Sequence, residues 1–92
     1  MDAEMQLTLL KFDLQITTDK LDPYLSALLE GAATEIRREG IPLSDTLEDG
    51  LLVIQYAAYL YRKRREQDTA MPQFLRWMLN NRKVQREATP DG

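Results

Sequence analysis

Residues 47–66 read LEDGLLVIQYAAYLYRKRRE, and this stretch decides the fold. Between Leu51 and Leu60, apolar side chains occupy almost every face of a helical repeat, the mark of a central helix surrounded by others. Its ends carry the matching charges. Glu48 and Asp49 suit the positive end of the helix dipole, with Ser44 or Asp45 as the cap, and Arg62, Lys63, Arg64 and Arg65 suit the negative end. A helix buried on all sides requires neighbours with apolar faces of comparable length, and the flanking sequence supplies them.

Upstream, Leu21, Leu25, Leu28, Leu29, Ala32 and Ile36 recur at helical spacing, with Glu30, Glu35, Arg37 and Arg38 mostly on the wet side. Thr17, Thr18 and Asp19 offer caps for this helix, and Asp22 and Pro23 suit its first turn. Gly40 is a natural residue just past its end, and Pro42 prevents it from resuming. Residues 7–16 read two ways: Leu10, Phe12, Leu14 and Ile16 alternate as in a strand, while Leu7, Leu10 and Leu14 follow a helical stripe. Downstream, Gln67 to Ala70 forms a polar connection and Pro72 opens a final helix. There Met71, Phe74, Leu75, Met78 and Leu79 form the core-facing stripe, and Trp77 falls beside it. Glu87 to Gly92 has no apolar anchor and is expected to be disordered, which leaves one domain over residues 1–86.

The chain has 92 residues, 43% of them hydrophobic, and neither cysteine nor histidine. That composition excludes a thiolate or imidazole metal site, a disulfide framework, and every nucleophile system that depends on Cys or His. A chain of this size buries roughly 60 to 65% of its unfolded surface, enough for a core with little left over for a deep pocket. The expectation is a binding or assembly module with no cofactor and no metal. The acidic start Met1, Asp2, Ala3, Glu4 is unlike a basic leader, and the apolar run from Leu51 to Tyr61 is far shorter than the roughly 18 residues of a membrane span, so no membrane partner is expected.

The net charge of −3 conceals an asymmetry. Residues 1–61 carry a balance of −7 and residues 62–86 a balance of +6. The basic third can serve as a dipole-compensating helix end, meet an acidic protein surface, or neutralise phosphates. Asn80, Asn81 and Arg82 resemble base-reading side chains, although the chain as a whole is acidic. Tyr56, Tyr59 and Tyr61 at helical spacing read as core, whereas Tyr24 and Trp77 are candidates for interface anchors. The acidic run Ser44 to Gly50 lacks the alternating order of a calcium loop and reads as helix capping. The carboxylate pairs Asp19 with Asp22 and Glu35 with Glu39 lie on helix surfaces with no pocket around them, and no phosphate-binding loop or nucleophile elbow is present.

Taken together, Leu10, Lys11, Leu14, Ile16 and Thr17, then Asp19, Asp22 and Leu25, the run Tyr56 to Arg62, and the closing Pro72, Phe74, Leu75, Leu79 and Asn80 resemble the small head-tail connector proteins of tailed bacteriophages and prophages, also described as DNA-packaging adaptors. The resemblance spans roughly residues 7–84. It implies an all-helical bundle of about four helices in which residues 7–16 form a short first helix. It also implies a non-enzymatic virion component at the head-tail junction, made in the bacterial host cytoplasm, that assembles as a homo-oligomeric ring on the portal protein. Such a ring extends the channel for double-stranded DNA without sequence recognition and meets a tail-completion protein. The connection Glu66 to Ala70 is shorter than in many members of that family. On this reading Arg62, Lys63, Arg64, Arg65, Arg76 and Arg82 contact acidic surfaces of neighbouring subunits or the portal, with Phe74 and Trp77 between core and interface. The alternatives are a small DNA-binding regulator that uses the basic C-terminal helix, and a helical interaction domain of another pathway.

Overall fold

A computed structural model of the chain describes residues 1–66 and 70–88. The central helix predicted from the sequence is α3 (Leu47–Arg65), and nine of its residues are buried. Around it stand α1 (Ala3–Leu14), α2 (Asp22–Arg38) and α4 (Gln73–Ala88), with no strand among the described residues. The protein is therefore a small all-α bundle of four helices.

Contacts between distant residues fix the helix directions. The Gln6 side-chain amide donates to the Gly50 carbonyl at 3.4 Å, and Arg62 Nη2 approaches Asp13 Oδ2 at 3.4 Å, so α1 runs parallel to α3. The Tyr24 ring lies 6.4 Å from that of Tyr61, which sets the start of α2 against the end of α3. Arg82 of α4 reaches Asp49 in the first turn of α3. The topology is up-down-up-down, with α1, α2 and α3 packed on one another and α4 laid along α3. Leu10, Leu25, Ile36, Ile41 and Leu52 are fully enclosed in the core, and burying such side chains contributes roughly 1.5–3 kcal/mol each.

The structure resolves the ambiguous residues 7–16. Residues 7–14 belong to a helix that starts earlier than the stripe suggests, because the Asp2 carboxylate caps it by accepting from the Met5 N–H at 2.7 Å. The helix ends where Gln15 enters the left-handed region at φ 60°, and the Ile16 N–H bonds back to the Lys11 carbonyl at 2.9 Å. The α2 terminus follows the sequence reading: Gly40 takes φ 89°, its N–H reaches the Arg37 carbonyl at 2.9 Å, and Ile41 closes onto Ile36.

Two cap assignments need correction. Neither Thr17, Thr18 nor Asp19 caps α2, whose preceding residue Leu21 offers no side-chain acceptor. Asp19 is instead engaged by Lys11, with Oδ1 2.9 Å from Nζ, and Thr18 accepts from the Lys20 N–H. For α3 the cap is Thr46, one residue beyond Asp45, with its hydroxyl accepting from the Asp49 N–H at 3.2 Å. In α4, Glu87 and Ala88 are helical, although the sequence placed them in the tail; residues 89–92, and Gln67 to Thr69 of the connection, lie outside the described residues.

Candidate functional site

The end of α3 gathers four consecutive cations, and each has a place within the chain. Arg62 pairs with Asp13, Lys63 lies over the Tyr59 ring at 5.7 Å, Arg64 over Tyr24 at 5.6 Å, and Arg65 over Tyr61 at 5.7 Å. Arg65 also donates to the Tyr61 hydroxyl at 3.2 Å. Stacking on tyrosine spreads the long side chains flat, while all four residues remain exposed. The result is a cationic end on which each charge is held by an aromatic face or a single carboxylate and stays open to a partner.

Because α4 runs back along α3 from the contact of Arg82 with Asp49, its Arg76 stands near Tyr56 in the middle of α3. Leu75 and Leu79 are buried and Met71 and Met78 pack against the core. Phe74, expected in the core-facing stripe, is 66% exposed, and Trp77 is 62% exposed. The helical repeat explains the change, since Phe74 lies about 100° around the axis from Leu75 and cannot face the core once Leu75 and Leu79 do. The two rings instead stack on each other outside the bundle, with centroids 6.3 Å apart and planes inclined at 22°. Arg76 is exposed beside them. Seven of the eight interface candidates read from the sequence are thus exposed, with Arg62, Lys63, Arg64 and Arg65 at the end of α3 and Phe74, Arg76 and Trp77 on α4.

Arg82 is the exception. Its guanidinium bonds the Asp49 carboxylate and lies 3.4 Å from the Pro42 carbonyl, with the Arg82 side chain 20% exposed and that of Asp49 5%. Asp49 also accepts from the Ser44 N–H at 2.7 Å and the Ser44 hydroxyl at 2.9 Å. Burial alone would push this carboxyl up, but the bonds from Arg82 and Ser44 prevail and hold it below its ordinary value. Next to it, Lys83 Nζ meets Glu39 Oε1 at 2.6 Å. Arg82 and Lys83 are therefore a latch that docks the second half of α4, while the exposed apolar side of the helix carries Phe74, Trp77 and Val84.

The other carboxylates singled out in the sequence have basic partners as well. Asp19 and Asp22 each lie 2.9 Å from Lys11 Nζ, and the hydrogen bonds that the ammonium donates to Asp19 and Asp22 raise the Lys11 pKa above its ordinary value. Glu35 pairs with Arg38 at 3.1 Å. Among the described residues no group of three or more acidic side chains is placed to hold a metal, and no helix is long and apolar enough to cross a membrane. Tyr56 and Tyr59 are core, while Tyr24 is half-buried under Arg64.

Sequence reasoning missed a second apolar surface. Met5, Leu9 and Phe12 of α1 are exposed, Phe12 to 84%, and their spacing of four and then three residues places them on one stripe. That spacing was visible in the sequence but was overshadowed by the inward set Leu7, Leu10 and Leu14. Compared with family models, curated proteins and solved structures, the chain matches none.

Proposed function

We propose that the chain is a non-enzymatic head-tail connector of a tailed bacteriophage or prophage, a protomer that assembles as a ring on the portal and extends the channel for genome packaging and ejection. The observation that carries this reading is the stacked Phe74–Trp77 pair, which stands in water on α4 with Arg76 exposed beside it, while Arg62 to Arg65 remain exposed at the end of α3. Large aromatics and arginines are the residue types that dominate protein interfaces, and here the fold holds them outside a core that is complete without them. A small bundle with this surface gains stability when subunit contacts cover it. The resemblance of the motifs to connector proteins supplies the kind of assembly, and the acidic and basic regions suit contacts between unlike faces of neighbouring subunits.

The DNA-reading alternative draws less support, because Arg82, its principal base-reading cation, is committed to Asp49. Light scattering of the purified protein, alone and with a portal protein from the same genome, tests the proposal. A complex with the portal, or rings at high protein concentration, is the expected result. A chain that neither binds the portal nor forms rings overturns it.

A further inference from the structure

The core-facing side of α1 carries Leu7, Leu10 and Leu14, and the opposite side carries Met5, Leu9 and Phe12. On α4, Leu75 and Leu79 face the core while Phe74, Trp77 and Val84 are exposed within an arc of about 80°. Each outer helix thus has two apolar faces, of which the bundle covers one. The exposed stripes are of similar length: at a helical rise of about 1.5 Å per residue, Met5 to Phe12 spans about 10 Å and Phe74 to Val84 about 15 Å.

Their electrostatic settings are opposite. Around the α1 stripe stand Asp2, Glu4 and Asp13, the last paired with Arg62, while Lys11, the one cation of this helix, is engaged by Asp19 and Asp22. Residues 73–84 of α4 contain no carboxylate; Arg82 and Lys83 are engaged by Asp49 and Glu39, and Arg76 is exposed beside the Phe74–Trp77 pair. Placing α1 against α1 would bring acidic flanks together, and α4 against α4 would oppose the two Arg76 side chains. Only α1 against α4 joins apolar surface to apolar surface with attractive charge on both sides.

We propose that the outer stripe of α1 in one copy of this chain docks on the Phe74, Trp77 and Val84 face of α4 in the next copy. The inference deepens the ring reading above and rests on it for the expectation of many copies. The contact is heterologous, so each bound copy leaves one α1 stripe and one α4 face for further neighbours, and the array closes into a ring or extends as a filament.

The absence of cysteine makes a direct test simple. Thr8 flanks the α1 stripe, Asn81 lies within the α4 arc, and both are exposed polar residues. The double variant Thr8→Cys/Asn81→Cys, oxidised at high concentration or on the portal, is expected to give a ladder of disulfide-linked dimers, trimers and larger species, and each single variant to remain monomeric. Adding Phe12→Asp or Trp77→Asp to the double variant should reduce the ladder more than tenfold while leaving helix content and melting temperature unchanged, because both side chains are exposed. Single variants that form dimers as efficiently as the double would show a symmetric contact and overturn the inference, as would the absence of a ladder in both conditions. Portal binding without a ladder removes this contact and leaves the connector reading standing; a ladder of open chains, with neither portal binding nor rings, does the reverse.

Discussion

The latch between Asp49 and Arg82 yields the sharpest test of how α4 is held. Asp49→Asn keeps the shape of the side chain and an acceptor for Ser44 but removes the charge facing Arg82, whose side chain is only 20% exposed. Breaking a fully buried pair costs about 3–5 kcal/mol, and because Arg82 has some solvent and the Pro42 carbonyl nearby, the lower end applies, about 3 kcal/mol. Arg82→Met retains the apolar stem and leaves Asp49 with both Ser44 bonds, so its cost is about 2 kcal/mol. In the double variant neither charge is stranded, and the total should be about 3 kcal/mol, a coupling of about 2 kcal/mol. Urea unfolding at neutral pH, followed by far-ultraviolet circular dichroism, measures all four corners of the cycle. Acid provides an independent reading. The Asp49 pKa is held below its ordinary value of 3.8, so the stabilisation it gives is complete well above that value and is lost as pH falls through the native-state pKa. The wild type should therefore lose stability in acid more steeply than Asp49→Asn. Effects that add to within about 0.5 kcal/mol, together with parallel acid profiles, would refute the latch.

Other substitutions test separate parts of the structure. Trp77→Ala should cost under about 1 kcal/mol in stability, far from the roughly 3–5 kcal/mol of a buried tryptophan, and should reduce assembly measured by light scattering. Gly31 lies inside α2 with nothing within 4 Å of an added Cβ, so Gly31→Ala should stabilise by about 1 kcal/mol in thermal melts. Gly50→Ala should lack this gain, because its Cβ would come within 2.8 Å of the Met1 Cβ and displace that residue from its seat beside Asp45. Gln15 holds φ 60° at the end of α1, and Gln15→Gly should stabilise by about 0.5–1 kcal/mol in the same assay.

Features that depend on local periodicity were readable from the sequence: the enclosure of α3, the inward face of α2, and the stop at Gly40. The strand-like alternation of Leu10, Phe12, Leu14 and Ile16 misleads because α1 is apolar on two opposite sides. Leu10 and Leu14 point inward and Phe12 outward, and a helix with both faces apolar imitates a strand over a few residues. The cap assignments failed for a different reason. Ser, Thr and Asp cluster before both α2 and α3, and the choice among them depends on which carboxylate a distant cation engages: Lys11 engages Asp19, and Arg82 engages Asp49 across 33 residues of sequence. No local pattern contains that information. For the same reason Arg82 was grouped with the exposed cations.

The latch also bears on why the aromatic pair is exposed at all. Two apolar stripes compete on α4, one of Met71, Leu75, Met78 and Leu79 and one of Phe74, Trp77 and Val84, and the second contains the larger rings. Apolar burial alone does not favour the observed choice, since Trp and Phe bury more area than Leu and Met. Rotating α4 to enclose Trp77 would swing Arg82 and Lys83 away from the bundle and strand Asp49, which is buried in the first turn of α3. Leaving Asp49 without Arg82 costs about 2 kcal/mol, which offsets most of the roughly 1.5–3 kcal/mol gained by enclosing one more large side chain, and the same rotation would uncover Leu75 and Leu79. The ion pair and the burial of Leu75 and Leu79 together set the rotation of α4, and that rotation places Phe74 and Trp77 in solvent. A surface that looks like a packing defect in the monomer follows in part from an ion pair more than one helical turn away from it, which is how a chain this small can hold a binding face in place without a rigid scaffold beneath it.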